Sequence, residues 1–309
     1  MALRITLRQM EYVVAVGEEG SIAQAAQRLH VSAPSISTAI GQLEAELGVQ
    51  LFHRRHAQAL VLTPAGHRIM AAARDALRQA ERVLVLAADL RSSVSGPLSI
   101  GCLSSFSALV LPELRARFER KHPEVEVRQL EDDHAGLMEG LQQGSLDLCL
   151  TYDLEVPPGI GFEPLAPIPP YIALPPDHPL VNLPVVTPAD LADQPMILLD
   201  LPGSTAYFLS AFGPKGVVPQ IAARTRDMAL ARSMVANGFG FLLMNVRPLS
   251  ELAPDGKPLV YRPLSGGPRA LRLGMARLQG MRPTRVTEAF EAHCRALVTP
   301  TSIPGIRTD

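Results

Sequence analysis

The sequence lacks several patterns that mark enzymes, membrane proteins and metal sites. No G-x-S-x-G, H-E-x-x-H or phosphate-binding P-loop pattern occurs among its 309 residues. This argues against the hydrolases and the nucleotide-binding proteins that carry these signatures. No stretch approaches the roughly 20 apolar residues that a membrane-spanning helix needs. The N-terminus also lacks a signal-peptide pattern. We therefore expect a cytoplasmic protein that is not an enzyme.

Cysteine is scarce, and its three copies lack the spacing of metal ligands. Cys102, Cys149 and Cys294 are scattered, so we expect small buried side chains and neither a metal nor a cofactor. One alternative stays open, because Cys102 and Cys149 fall on two predicted strands of one lobe. A reversible disulfide there would make a redox sensor, although a bridge between adjacent strands is geometrically awkward.

Lysine is missing from the first 91 residues, which contain ten arginines against eight acidic residues, a net charge of +2. The remaining residues carry −3, which gives −1 for the whole chain. A mildly basic N-terminal part fits DNA binding without establishing it. The length suggests two or three domains.

Residues 20–52 have the pattern of a helix-turn-helix. Ser21 is a good N-cap for a first short helix, and Ser32 can cap a second helix in which Pro34 fits the first turn. The second helix has a buried stripe and, on its other side, short polar residues near its N-terminus, which is typical of a DNA recognition helix. The stripe consists of Ile36, Ile40, Leu43 and Leu47.

A basic hairpin is predicted after this helix. Residues 49–52 and 59–62 are predicted to form two short strands, and His53–Gln58 form the basic loop between them. A helix-turn-helix followed by such a hairpin is a winged helix, whose arginines would contact phosphates or the minor groove.

Four motifs in this region resemble those of LysR-type transcriptional regulators. They are A-A-x-R-L-H-V-S (Ala25–Ser32), P-S-I-S (Pro34–Ser37), L-E-x-E-L-G-V-x-L-F (Leu43–Phe52) and L-T-P-A-G (Leu62–Gly66). The resemblance implies a ligand-responsive regulator that binds promoter DNA. The sequence departs from the family at Ala33, where glutamine is common, and at Thr38, where arginine is frequent. The expected DNA-binding residues are Ser32, Ala33, Pro34, Ser35, Ser37, Thr38, Gln42, Arg54, Arg55 and His56.

A long helix is predicted from Pro64 to about Ser92, with Thr63 as its N-cap. Its apolar residues recur at alternating spacings of four and three, which is the heptad period of a coiled coil. The alternative is a helix that packs on its own domain, but the family resemblance implies dimerisation. The seam consists of Ile69, Ala73, Ala76, Ala80, Val83, Ala87 and Leu90.

The rest of the chain is predicted to form a two-lobed α/β domain. Strands and helices alternate after a linker at Ser92–Pro97, while the proline-rich Pro164–Pro176 and Pro254–Pro268 separate the halves. The final strand and helix are expected to return to the first lobe, as in periplasmic solute-binding proteins, which the family's effector domain resembles. The domains are 1–64 (winged helix), 65–92 (linker helix), 93–168 with 268–298 (first lobe), 169–267 (second lobe) and 299–309 (tail).

The effector site is predicted at the carboxyl ends of the parallel strands, where helix N-termini meet. Each candidate is individually more often a helix cap, but as a set they converge on one cleft. The resemblance places Ser105 at the family's first-lobe serine and puts Ser204 and Thr205 in its second-lobe loop. The candidates are Ser104, Ser105, His134, Thr151, Asp153, Leu201, Gly203, Ser204, Thr205 and Phe241.

The ligand is expected to be a small polar metabolite. Four acidic residues could approach the cleft, so a carboxylate would be repelled unless Arg224 or Arg226 compensates, and a neutral, zwitterionic or amino-bearing ligand stays open. Expected partners are double-stranded promoter DNA, the effector and further copies of the chain as a homodimer or homotetramer, with RNA polymerase an additional candidate. An enzyme, a redox sensor and a nucleoid-type DNA binder without a ligand are the competing hypotheses. The four acidic residues are Asp132, Asp133, Asp153 and Asp200.

Overall fold

The structure is a computed structural model that describes residues 4–54, 60–89, 94–213 and 219–308. The chain separates into two units, one built mainly of residues before Val94 and one mainly of residues from Val94 onward. The first unit contains α1 (Leu7–Glu19), α2 (Ile22–Arg28), α3 (Ala33–Leu47), β1 (Phe52–Arg54), β2 (Leu60–Leu62) and α4 (Pro64–Asp89).

Local capping explains where the first three helices begin and end. Thr6 and Gln9 form a capping box on α1, and the Ser21 and Ser32 side chains accept hydrogen bonds at the starts of α2 and α3. Gly20 and Gly48 end α1 and α3 in the left-handed conformation, with φ of 61° and 67°. The helix-turn-helix therefore follows from caps that the sequence itself displays.

The wing is attached to α3 by a carboxylate. Glu44 Oε1 accepts from the backbone N–H groups of Leu51 (2.7 Å) and Phe52 (3.3 Å), so β1 begins at Phe52, later than the predicted residue 49. Gly66, in the first turn of α4, leaves room for the Leu51 carbonyl, since a Cβ there would lie 2.1 Å from that oxygen. These contacts give the L-E-x-E-L and L-T-P-A-G motifs a packing role.

The second unit contains two five-stranded sheets. The first sheet has the order β4-β3-β5-β12-β6 and the second has β11-β7-β10-β8-β9. Elements of the first lobe are β3 (Gly96–Leu103), α5 (Ser104–Lys121), β4 (Val125–Asp132), α6 (His134–Gln143), β5 (Leu148–Tyr152), β6 (Ile160–Ile168), β12 (Leu271–Leu278) and α9 (Arg285–Leu297). Those of the second lobe are β7 (Tyr171–Leu174), β8 (Pro195–Leu199), α7 (Ser204–Leu209), β9 (Gln220–Thr225), α8 (Met228–Ala236), β10 (Phe241–Met244) and β11 (Val260–Pro263).

The order and direction of the strands show how the chain passes between the two lobes. β3 and β5 are almost wholly buried and parallel, whereas β12 pairs antiparallel with β5 and β6. The chain leaves the first sheet after β6 and returns to it at β12. It therefore crosses between the lobes twice, and the last strand and helix belong to the first lobe.

Two strands include residues of the proline-rich segments that were expected to be separators: β6 overlaps the first segment, and β11 lies within the second. β6 contains Pro164 and Pro167, and β11 ends at Pro263. Each is an edge strand, where a residue without an N–H donor is tolerated because one side has no partner strand. α5 begins at Ser104, directly after β3, so Ser104 and Ser105 lie in the first turn of this helix.

The C-terminal residues after α9 pack against both lobes. Leu249 donates its N–H to Gly305 O (3.1 Å), and Arg307 donates to Arg247 O (2.8 Å). Ile303 and Ile306 are buried in the core that the two lobes share. The chain near Gly305 also passes close to α5, because a Cβ at this residue would lie 2.5 Å from the Leu109 carbonyl oxygen.

We expect Gly305→Ala to destabilise the protein more than Gly256→Ala. Both glycines have a positive φ, 71° and 82°, which costs an alanine about 1 kcal/mol. Only Gly305 has backbone atoms where the new Cβ would lie, which adds about 1–3 kcal/mol. Thermal unfolding of the two full-length variants measures the difference. Equal losses would show that the C-terminal residues are not held against α5.

Candidate functional site

The exposed face of α3 carries most of the predicted base-reading residues. Ser35, Ser37, Thr38 and Gln42 are exposed, while Ile36, Ile40 and Leu43 on the opposite face are buried. This division leaves hydroxyl and amide groups free to meet base edges. Ser32 and Pro34, at the start of the helix, are exposed as well.

One predicted contact on α3 needs correction, and two others also cap the helix. Ala33 is half-buried and packs against the core of the first unit, so its methyl group points away from the polar face. The Ser35 hydroxyl lies 2.6 Å from Ser32 Oγ, and Ser32 Oγ accepts from the Ser35 N–H as the helix cap. Both serine hydroxyls therefore stabilise the start of α3 as well as facing outward.

The wing is described only in part. His53 is exposed on β1, which pairs with β2 in register from Phe52–Leu62 to Arg54–Leu60. Arg55, His56 and the side chain of Arg54 lie outside the described residues, so their DNA contacts stay predictions.

The predicted dimer seam on α4 has two kinds of position. Ile69 packs against the core of the winged helix, because α4 lies along α1, and it therefore serves its own domain. Ala73 is buried. Ala76 and Ala80 are half-buried, and Val83 is 64% exposed. Leu90 and the side chain of Ala87 lie outside the described residues. Val83 therefore exposes an apolar side chain at a position of the predicted seam.

Three first-lobe candidates lie at one edge of the first sheet. Ser105 follows β3, His134 follows β4, and Thr151 lies at the end of β5. His134 Nδ1 is 3.0 Å from Thr151 Oγ1. Burial lowers the pKa of His134, so its imidazole is neutral at neutral pH. Thr151 is fully buried, so this uncharged pair lies within the first lobe, and neither residue lines the two cavities that contain Ser105.

Asp153 differs from these candidates because its carboxylate is already engaged. Oδ2 accepts from Arg269 (2.7 Å) and Arg272 (2.8 Å), and Oδ1 accepts from the Arg272 N–H (2.8 Å). Burial alone would raise the pKa of Asp153, but these hydrogen bonds outweigh it and hold the pKa below its usual value. Asp153 therefore joins the end of β5 to the start of β12, and we remove it from the ligand contacts.

Most of the candidate side chains in the second lobe either pack in its core or form local hydrogen bonds. Leu201 is buried in the second-lobe core, and Thr205 Oγ1 donates to Asp200 Oδ1 (3.1 Å). Phe241 is fully buried at the first residue of β10, the opposite strand end from the expected site, so this prediction was wrong. Gly203 has a φ of 77° and precedes α7.

An inner cavity lies between the lobes, next to Ser105 and Ser204. Its volume of about 10 Å³ is room for about one water molecule. Asn245, which is 5% exposed, lines the cavity, and its Oδ1 is buried without a hydrogen-bond partner among the described residues. The inner cavity is lined by Ser105, Tyr152, Leu199, Ser204, Tyr207, Phe208, Met228, Asn245, Val246 and Leu271.

A larger outer groove shares Ser105, Met228 and Val246 with the inner cavity. Its volume is about 400 Å³, a size typical of small-molecule sites. The N-terminal parts of α5 and α8 contribute to its walls. The outer groove is also lined by Ser104, Phe106, Ala108, Leu109, Met244 and Pro248, together with the charged residues Arg226, Asp227 and Arg232.

Strand register argues against a disulfide between Cys102 and Cys149. Cys149 pairs with Gly101 in neighbouring parallel strands, so its side chain shares a sheet face with Gly101 and Cys102 points to the other face. Burial also raises the pKa of both thiols, Cys149 to about 12, which keeps them protonated. The described geometry thus offers no redox couple between these two residues.

Two family models match adjoining parts of the chain. Residues 7–67 match the bacterial regulatory helix-turn-helix protein, lysR family, and residues 91–299 match the LysR substrate binding domain. The chain belongs to the LysR family of transcriptional regulators. Both matches describe a DNA-binding regulator with an effector-binding domain, in agreement with the prediction that the protein is not an enzyme.

Relatives of this LysR-family chain match nearly its full length. The transcriptional activator protein LysR of Escherichia coli is 31% identical over 84% of this chain and 83% of its own length. HinK from Pseudomonas aeruginosa is 36% identical, with a TM-score of 0.63 over 96% of this chain and 99% of that structure. Full-length CbnR in complex with its target DNA is 25% identical, with a TM-score of 0.67, over 94% and 99%.

Two findings concern what the described residues lack. Among the described helices of this LysR-family chain, none is long and apolar enough to cross a membrane. The described residues also hold no group of three or more His, Cys, Asp or Glu side chains arranged to bind a metal ion.

Sequence reasoning about this LysR-family regulator missed Asn245 and Tyr207. Asn245 follows β10 directly, so the rule that ligands bind beyond strand ends could have identified it. Tyr207 lies on α7, where its aromatic ring indicates core packing. Only the folded arrangement shows that Asn245 Nδ2 donates to Tyr207 Oη (2.9 Å) and that Tyr207 donates to Arg269 O (2.8 Å).

We expect Asp153→Asn to lower the free energy of unfolding by about 1–2 kcal/mol at pH 7. The folded state holds the pKa of Asp153 below the unfolded value of about 3.9, so its contribution is present above that value. The contribution disappears as the pH falls through the folded pKa, and the difference from wild type should shrink. Chemical denaturation from pH 3 to pH 7 tests this, with the exposed Asp177→Asn as the control. A difference that does not change with pH would contradict it.

Proposed function

We propose that α3 enters the major groove of promoter DNA and reads base edges through Ser37, Thr38 and Gln42. The observation that carries this proposal is the division of α3 into a buried stripe and an exposed polar face. A glutamine amide can form a bidentate pair with adenine, and the threonine methyl group can contact thymine. α3 contains no arginine, so the usual arginine–guanine contact is unavailable on this helix.

The wing and DNA shape then carry more of the recognition. Arg54 and Arg55 would contact phosphates or a narrow minor groove, which positions the protein without reading each base. The solved complex of full-length CbnR with its target DNA supports this proposal, because CbnR is similar to this chain over 94% of the chain's length. The protein would act in the cytoplasm, where promoter DNA and metabolites meet, and RNA polymerase is an additional candidate partner.

The apolar residues of α4 from Ala76 onward would pair with a second copy. A dimer presents two recognition helices to a pseudo-palindromic site, and pairing of dimers would give the expected homotetramer. Val83 supports this proposal because an apolar side chain with 64% exposure is better buried against a partner.

The space between the two lobes would bind the effector. The inner cavity and the outer groove share lining residues from both lobes, so a ligand bound there contacts both lobes. Such a ligand stabilises the lobe arrangement that it binds more tightly over the other arrangements. A change in lobe arrangement would alter the oligomer's grip on DNA. We propose the same domain boundaries that the sequence predicts.

Thr38→Ala and Gln42→Ala should change which bases are preferred. Each removes a base-directed group and should reduce discrimination at one position by about 1–3 kcal/mol. Binding to a library of operator variants measures the preference. Gln50→Ala is the matched control, since Gln50 is exposed beyond the C-terminal end of α3. An unchanged preference in both variants would show that α3 does not read these bases.

Val83→Glu should weaken self-association by about tenfold or more, because a charge would be buried at the seam without a partner. Sedimentation velocity over a range of concentrations measures the change. Ala71→Glu is the control, since Ala71 is exposed on the same helix outside the seam. If both variants associate like the wild type, α4 is not the dimer contact.

A further inference from the structure

We propose that the inner cavity accepts an uncharged hydrogen-bond donor, a hydroxyl or amide N–H group, carried on an apolar body that lies in the outer groove. This inference rests on the proposed effector function of the cleft and assigns Asn245 as the residue that selects the ligand's polar group. A carboxylate and an ammonium group are both excluded from the inner cavity.

The orientation of the Asn245 amide is determined by its partners. Nδ2 donates to Ile168 O (3.0 Å) and to Tyr207 Oη (2.9 Å). A carbonyl oxygen can only accept, so the atom that faces Ile168 must be the amide nitrogen. Tyr207 uses its own proton on Arg269 O and therefore accepts from Asn245. Both amide hydrogens are used, and Oδ1 points elsewhere.

Oδ1 is then an acceptor without a donor. The residue is 5% exposed, and this oxygen has no partner among the described residues. A buried acceptor without a partner costs roughly 1–3 kcal/mol, an amount that a donor from a bound molecule recovers. A water molecule matches the volume of the inner cavity, and so does a single hydroxyl or N–H group of a ligand.

The uncharged lining of the inner cavity restricts which polar group of a ligand can enter it. None of the residues that line the inner cavity carries a charge at neutral pH, since burial raises the pKa of both Tyr152 and Tyr207. A carboxylate or an ammonium group placed there would lose its hydration without an opposite charge. The nearest arginine in the hydrogen-bond chain, Arg269, is bound to Asp153.

Two arginines farther along the second lobe contact Asp200. Arg224 lies 3.5 Å from Asp200, and Arg226 donates to the Asp200 backbone oxygen at 3.4 Å. The two arginines that could have compensated an anionic ligand thus contact the loop that carries Asp200. Asp227 accepts from the Ala229 and Leu230 N–H groups as the cap of α8.

The outer groove determines the rest of the ligand. About 400 Å³ is far more than the inner cavity holds, and its walls include Ala108, Leu109, Val246 and Pro248. Burying a hydrocarbon body against such walls contributes the affinity, whereas the ligand's single donor, accepted by Asn245 Oδ1, contributes the selection.

Four compounds with one skeleton test the proposal on the full-length protein. They are cyclohexylmethanol, cyclohexanecarboxamide, cyclohexanecarboxylate and methylcyclohexane, with dissociation constants measured by ligand-detected NMR. We expect the alcohol and the amide to bind about tenfold or more tightly than the carboxylate and several-fold more tightly than methylcyclohexane. Preference for the carboxylate, equal binding of all four, or no binding by any of them would overturn the proposal.

Variants then identify the selecting residue. Asn245→Leu should weaken the alcohol and the amide about tenfold while leaving methylcyclohexane within about twofold, because methylcyclohexane has no donor for Asn245 Oδ1 to accept. Asn237→Leu is the matched control, since that amide is exposed at the end of α8 and bonds Ser233 O and Asp255. An equal loss in both variants overturns the role of Asn245. If Asn245→Leu does not fold, the wild-type ranking decides.

The result is separate from the proposed function. Operator binding through α3 is measured without any of the four compounds, so the regulator function can stand while the ligand class fails. Tight binding of the carboxylate would leave the cleft as a ligand site and overturn only the uncharged class. Loss of operator binding by the α3 variants, in contrast, bears only on the DNA interface.

Discussion

One chain of hydrogen bonds joins the two lobes where the polypeptide passes between them. Asn245 Nδ2 donates to Ile168 O at the end of β6, just before the first crossing, and to Tyr207, which donates to Arg269 O in the second crossing. Arg269 in turn binds Asp153 at the end of β5. Both crossings are thereby held by one second-lobe amide. The position of each lobe's strand ends, and hence the shape of the inner cavity, depends on this chain.

A comparable constraint orders the first unit. Glu44 on α3 accepts from the backbone of Leu51 and Phe52, and the missing side chain of Gly66 lets α4 begin against the Leu51 carbonyl. The recognition helix, the wing and the long helix are therefore oriented relative to one another by backbone contacts around Leu51. Substitution of Glu44 would leave two buried donors without their acceptor, which is costly even though no base contact is touched.

Most of the fold could be predicted, because its signals are local. Caps at Ser21 and Ser32, the glycine at the end of α3 and the buried stripe are readable from neighbouring residues. Strands β6 and β11 were missed because proline weighs against a strand, and only their positions at sheet edges make them tolerable. The heptad period of α4 does not by itself show whether Ile69 faces a partner or its own domain.

The sequence by itself determined the family, the helix-turn-helix with its polar face and the two-lobed α/β domain, since these rest on spacing and capping within short stretches. Tertiary structure alone decided which candidates can meet a ligand. Asp153 and Thr205 have the right chemistry at strand ends, yet their polar atoms are engaged by Arg269, Arg272 and Asp200. Asn245 had no local signal beyond its place after β10. Its orientation is fixed by Ile168 and Tyr207, which are distant in the chain and accept from its amide nitrogen, and its oxygen has no partner among the described residues.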